Sequence, residues 1–206
     1  MTKTAAKSAA RSTSLVHVKV TLRYIRPPIW RRLALPETTN LRDLSDIIQA
    51  AMGWNGGHLH AFEICGEQFG DPSMTDFTQN ERKMTIRNLL REGVSRFGYT
   101  YDFGDSWEHD VLIEKKRPPS EAPRGPACVA GERNCPPEDC GGSPGYDALL
   151  DALAAPTNPE SRELLEWVDE DYHPEEFSLD AANNRIRAAA DFHRPADLMR
   201  TLRSAG

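Results

Sequence analysis

Three cysteines, Cys128, Cys135 and Cys140, stand in one glycine- and proline-containing stretch, Cys128-Val-Ala-Gly-Glu-Arg-Asn-Cys-Pro-Pro-Glu-Asp-Cys-Gly-Gly142. Thiolates bind zinc, and three of them need one further ligand to close a tetrahedral site that staples a loop with little core of its own. Cys65, His58, His60, His109 or Asp139 could supply it. The gaps between the cysteines are longer than the knuckle that makes a cysteine pair diagnostic for zinc, so packing as small buried hydrophobes stands beside metal binding.

A second gathering is Tyr101-Asp-Phe-Gly-Asp-Ser-Trp-Glu-His109. Asp102, Asp105, Glu108 and His109 offer carboxylates and an imidazole for acid–base work or for a divalent ion. Aspartates also accept backbone N–H bonds in tight turns, which is the structural alternative. His58 and His60 lie two apart on an expected strand and so share one face. If Asp102 and His109 face each other, a cleft shared with His58 and His60 follows. Ser106 lacks the flanking glycines of a nucleophile elbow, which argues against a serine hydrolase.

The elements that would position these residues are legible from periodicity. Val16, Val18, Val20 and Leu22 alternate with polar residues, as in a strand with one buried face. Pro27-Pro28 interrupts, and Ile29–Leu35 resumes as an antiparallel partner. Asn40 or the preceding threonines cap a helix carrying Leu41, Leu44, Ile47, Ile48 and Ala51 at helical spacing, ended by Gly53. His58–Cys65 alternates again, with a return strand through Phe69; residues 71–84 read as a polar surface loop, and Thr85–Arg91 as a short helix. Phe97–Phe103 and Trp107–Ile113 flank Gly104-Asp105-Ser106, where glycine would supply the angles of a tight reversal, and this hairpin is expected at the centre of the sheet. Beyond Ser143 the pattern is helical, over Tyr146–Ala154, Glu160–Asp169 and Leu179–Phe192.

These elements predict an α+β fold: a mixed or antiparallel, roll-like sheet with one inserted helix and a C-terminal helical annex from about residue 143. Residues 1–14 read as a disordered basic tail, 15–195 as a single domain and 196–206 as a flexible C-terminus. No glycine-rich phosphate loop follows a strand, so no nucleotide is implied. No apolar run reaches membrane-spanning length and the first residues lack the apolar centre of a secretory signal, so a cytoplasmic protein with reduced thiols is expected. The net charge of −6 is uneven: residues 1–50 carry +6 and the remainder −12. Nucleic acid would have to be met by the basic end alone, through Arg23, Arg26, Arg31 and Arg32.

Several separated blocks, Arg26-Pro-Pro-Ile-Trp-Arg-Arg-Leu33, Ala51-Met-Gly-Trp54, His58-Leu-His-Ala-Phe62, Tyr101–His109, Cys135-Pro-Pro-Glu-Asp-Cys-Gly-Gly142 and Gly145-Tyr146, together resemble the plasmid pRiA4b ORF-3-like family of bacterial and archaeal proteins. The late Tyr172-His-Pro-Glu-Glu-Phe177 and Asn183 extend the likeness over roughly residues 15–190. The resemblance implies an α+β roll, an association with plasmids, and labels such as transposon resolvase. No helix-turn-helix or serine-recombinase pattern in this chain gives the label a mechanism.

The residues and the resemblance together point to a non-catalytic binding or interaction module, with an unidentified protein as partner and the Cys128–Cys140 loop in the recognised surface. Two rivals stand. One is a zinc-dependent enzyme that uses Cys128, Cys135 and Cys140 with His58, His60 or His109. The other is a nucleic-acid-associated accessory of plasmids or mobile elements.

Overall fold

A computed structural model describes residues 15–74, 78–117, 125–169 and 171–192. The tail at 1–14, the C-terminus at 196–206 and most of the proline-rich stretch 117–126 lie outside these residues.

Strand β1 (Leu15–Leu22) buries Val16, Val18, Val20 and Leu22, as its alternation requires. Strand β2 (Trp30–Pro36) returns antiparallel to it, with Val18 opposite Leu33. Helix α1 (Leu41–Met52) is capped by Asn40, whose side chain accepts from the Asp43 N–H, and ends at Gly53 in the left-handed region, φ 117°. Strands β3 (His60–Ile64) and β4 (Glu67–Gly70) form a hairpin through Cys65 and Gly66, both at positive φ.

Residues 71–84, expected as a surface loop, contain a short strand β5 (Gln79–Asn80) parallel to β4 and a 3₁₀ turn at Glu81–Lys83. The polar composition misled because Glu81 is buried by partners distant in sequence. Helix α2 (Ile86–Arg91) follows, then β6 (Arg96–Tyr101) and β7 (Trp107–Arg117), which pair with Tyr99 opposite His109.

Ala127–Glu132, expected as part of a cysteine loop, is an eighth strand, β8, paired with the edge of β2. Its sequence has little alternation, so the β2 edge decides its conformation. Helices α3 (Gly142–Ala154), α4 (Pro159–Leu165) and α5 (Leu179–Phe192) complete the chain. Helix α3 begins about one turn before the expected Tyr146, and α4 stops short of Asp169, leaving Val168 to be buried outside a helix.

The strand order is β5-β4-β3-β6-β7-β1-β2-β8, and the β6–β7 hairpin is central. The fold is α+β with a mixed sheet. One sheet face carries the apolar core, and α1 is tied across it by a buried trio in which Ser45 and Gln49 meet the Tyr99 hydroxyl at 2.8 and 3.0 Å. On the other face the charges pair across strands, Arg23 with Glu108 and Asp110, and Arg32 with Glu114. Helix α1 has no basic residue in its last turn. Its C-terminal carbonyls are served from outside, with Arg31 Nε donating to Ala51 O at 3.1 Å and Arg185 Nε to Ala50 O at 2.9 Å. Among the described residues no helix is long and apolar enough to cross a membrane.

Candidate functional site: a cleft beside two histidine–carboxylate pairs

The reversal between β6 and β7 is built by Asp102. Its backbone takes φ 56°, its Oδ1 accepts from the Gly104 and Asp105 N–H groups at 2.9 and 3.3 Å, and its carbonyl accepts from Ser106 N–H. The left-handed angles expected of glycine fall instead on Asp102 and Ser106, because the Asp side chain closes the turn through its own hydrogen bonds. The Asp102 N–H donates to Leu59 O at 2.8 Å, which fixes the segment before β3 and brings His58 over the turn.

His58 Nδ1 lies 3.5 Å from Asp102 Oδ2, and Nε2 lies 3.3 Å from Glu138 Oε2 and 3.2 Å from Asp139 Oδ1. One ligand atom each from His58, Asp102 and Asp139 lie within 4.8 Å of one another. Glu138 Oε1 accepts from Asn55 N–H at 2.7 Å and from the Tyr101 hydroxyl at 3.0 Å, whereas its Oε2 is buried without a hydrogen-bond partner. Burial, and then the neighbouring Glu138, hold the Tyr101 hydroxyl above the usual phenol range. Trp54 stacks on Tyr101 at 4.9 Å and donates Nε1 to Pro136 O, so the base of the site is aromatic and stiff.

His60 forms the second pair, with Nε2 2.7 Å from Glu81 Oε2, and both side chains are almost wholly buried. Arg42 Nη1 lies 3.8 Å from Glu81 Oε1, and Arg42 Nη2 lies 3.1 Å from Asp46 Oδ1. An open cleft of about 450 Å³ runs past both histidines, with Arg42 on its floor and Leu59, Met74 and Phe103 on its rim. Glu81, Arg42 and Glu138 were not expected here. No sequence spacing connects them to the histidines, although Glu138 stands inside the Pro-Pro-Glu-Asp run already singled out.

The remaining expected residues separate from this cleft. His109 is fully buried under Trp54, with Nδ1 3.3 Å from Tyr99 O and Nε2 unpartnered, so it does not face Asp102 across the hairpin. Burial pushes its pKa down to about 4. Asp105 Oδ2 accepts the Gly141 N–H at 3.1 Å and so acts as a tether. Glu108 binds Arg23.

All four cysteines are free; Cys65 is exposed and Cys128, Cys135 and Cys140 are buried. Burial raises the three buried thiols, Cys135 and Cys140 to about 12. Cys128 belongs to β8, and both its backbone groups bond Asn183 of α5. Arg26 is exposed, Arg23 and Arg32 are ion-paired, and Arg31 is 1% exposed.

A model of the family described as plasmid pRiA4b ORF-3-like protein matches residues 14–181. The chain belongs to that family. This pRiA4b ORF-3-like protein is similar to the uncharacterized protein y4hQ of Sinorhizobium fredii (strain NBRC 101917 / NGR234), 38% identical over 157 residues that cover 75% of this chain and 80% of that one. It is also similar to the crystal structure of MM3350, a protein of unknown function from Methanosarcina mazei Go1. That likeness has a TM-score of 0.75 and 34% identity, and covers 82% of this chain and 97% of that one. The pRiA4b ORF-3-like assignment therefore carries a fold and no activity.

Proposed function

We propose that this protein is a non-catalytic binding module and that its ligand occupies the cleft beside β3. The observation that carries this reading is the placement of apolar surface. Leu59, Met74 and Phe103 are three of the six exposed large hydrophobic side chains among the described residues, and all three border the one cleft whose floor holds Arg42, His58 and His60. Exposed apolar side chains gathered at a concave site with convergent polar groups mark binding surfaces. The complementary ligand is amphipathic, with an apolar body for the rim and a hydrogen-bond acceptor for the floor.

Anilinonaphthalene sulfonate has that form and serves as a probe. The native protein is expected to enhance its fluorescence saturably. Phe103→Ser and Leu59→Ser should each weaken the binding about tenfold, since each removes on the order of 1–2 kcal/mol of apolar contact. Unchanged binding in both variants, with native near-ultraviolet dichroism retained, would overturn the reading.

A second reading is favoured by the convergence of His58, Asp102 and Asp139. One imidazole nitrogen and carboxylate oxygens, with ligand atoms within 4.8 Å of one another, suit a divalent ion such as Mn²⁺ or Zn²⁺. Such an ion, open to the cleft, would give the metal-dependent enzyme its Lewis acid. Elemental analysis of protein purified without a metal column tests it. Metal lost in Asp102→Asn Asp139→Asn supports the histidine–carboxylate site; metal lost instead in Cys135→Ser Cys140→Ser returns it to the cysteines.

The nucleic-acid reading draws little support, since Arg23 and Arg32 are neutralised by acidic partners and Arg31 lies in the core.

A further inference from the structure

At the C-terminal end of α1, away from the Arg42 end that meets the cleft, Arg31 and Arg185 lie close together, and among the described residues neither has an acidic partner. Arg31 is 1% exposed. Its Nη1 donates to Trp30 O and Glu132 O, each at 2.9 Å, its Nε to Ala51 O, and its guanidinium carbon sits 4.3 Å from the centre of the Phe177 ring. Gly131 permits this arrangement, for a Cβ there would stand 2.7 Å from Phe177 Cζ and 3.0 Å from Arg31 Cδ. Arg185 reaches the same helix end from α5; burial lowers the Arg31 pKa, the nearby Cys135 and Cys128 act against that, and Arg185 adds to it. Among the described residues neither arginine forms an ion pair. Glu176 lines the same cavity and Asp180 follows on α5; both are exposed, and among the described residues neither pairs with Arg31 or Arg185.

The carbonyls satisfy N–H groups without neutralising charge. The C-terminus of α1 supplies about half a negative charge, against two full positive charges. A buried guanidinium left in that state is costly, and the deficit has a definite location. Arg31 and Arg185 line an open cavity of about 330 Å³ together with Asn134, Phe177, Ser178 and, at its exposed side, Glu176. Ser178 also stands at the start of the 14-residue helix α5, where its Oγ accepts the Ala181 N–H at 3.2 Å, so the positive end of that helix dipole adds to the two arginines.

We propose that Arg31 and Arg185, with Asn134 and Ser178, bind a compact doubly charged oxyanion of the kind a phosphate monoester presents. The two guanidiniums supply the charge, the amide and hydroxyl supply orientation, and the Phe177 ring holds Arg31 in place. The site is independent of the β3 cleft and of any metal there.

Inorganic phosphate is the probe, with acetate as the singly charged control and sodium chloride holding ionic strength constant. Phosphate is expected to raise the thermal midpoint saturably, and acetate is not. Arg185→Gln should weaken phosphate binding about tenfold, the loss of one charge-assisted contact, while Arg187→Gln, on the same helix, should leave it unchanged. No saturable shift in the native chain, or equal shifts in both variants, overturns the proposal. If Arg185→Gln does not fold, amide chemical shifts of the native chain decide: phosphate should move Asn134 and Ser178, and their immobility overturns the site.

Discussion

His109 shows how burial restricts a residue that has the right chemistry. It is enclosed by Trp54 and Tyr99, its Nε2 has no partner, and its charged form is disfavoured down to a pKa of about 4, against an ordinary value of 6.5. The unfolded chain therefore binds a proton between these values that the folded chain refuses. The His109 contribution is whole above pH 6.5, is lost as pH falls towards 4, and amounts to about 3 kcal/mol over that window. Urea unfolding followed from pH 7 to pH 4 should show that loss. His109→Gln, which stays neutral, should flatten the slope by that amount even if its stability at pH 7 is lower.

At the scale of elements, the segment between β8 and α3 organises the site. Arg133 anchors its start to Glu175 and to Pro27 O, Pro136 O receives Trp54, Glu138 holds Tyr101 and Asn55, and Asp105 holds Gly141. Gly142 closes it at φ 67°, in a position where a Cβ would lie 2.4 Å from Asp105 O. Gly142→Ala combines a left-handed alanine with that clash. It should destabilise by about 3 kcal/mol in urea unfolding and displace Glu138 and Asp139 from His58. Asn183 ties α5 to β8, bonding both the N–H and the carbonyl of Cys128. Asn183→Ala leaves both unpaired and should cost about 2 kcal/mol by the same measurement.

Over the whole molecule, the sheet separates two kinds of surface. Its outer face neutralises Arg23 and Arg32 within cross-strand ion pairs, while the apolar rim and polar floor of the cleft gather at the β3 end. With a net charge of −6 and those arginines engaged, no salt-sensitive retention on a DNA column is expected at physiological ionic strength. Retention that falls steeply with added salt would contradict this charge arrangement.

Alternation in β1, β2, β6 and β7, the Asn40 cap with its Gly53 stop, and the apolar spacing of α1 were readable from residue order. Each depends on neighbours within a few positions, where backbone geometry and burial set a short period. So was the pRiA4b ORF-3-like family, from separated blocks such as Tyr101–His109. The partners of His58 and His60 were not readable, because Glu138 and Glu81 come from segments with no periodicity of their own. Strand β8 existed only once β2 offered an edge, and the same packing that drew Glu138 to the cleft buried His109 and the three cysteines. Short-range order follows from the chain; which polar groups meet follows from how the sheet and α1 close on one another, and that is a property of the tertiary structure alone.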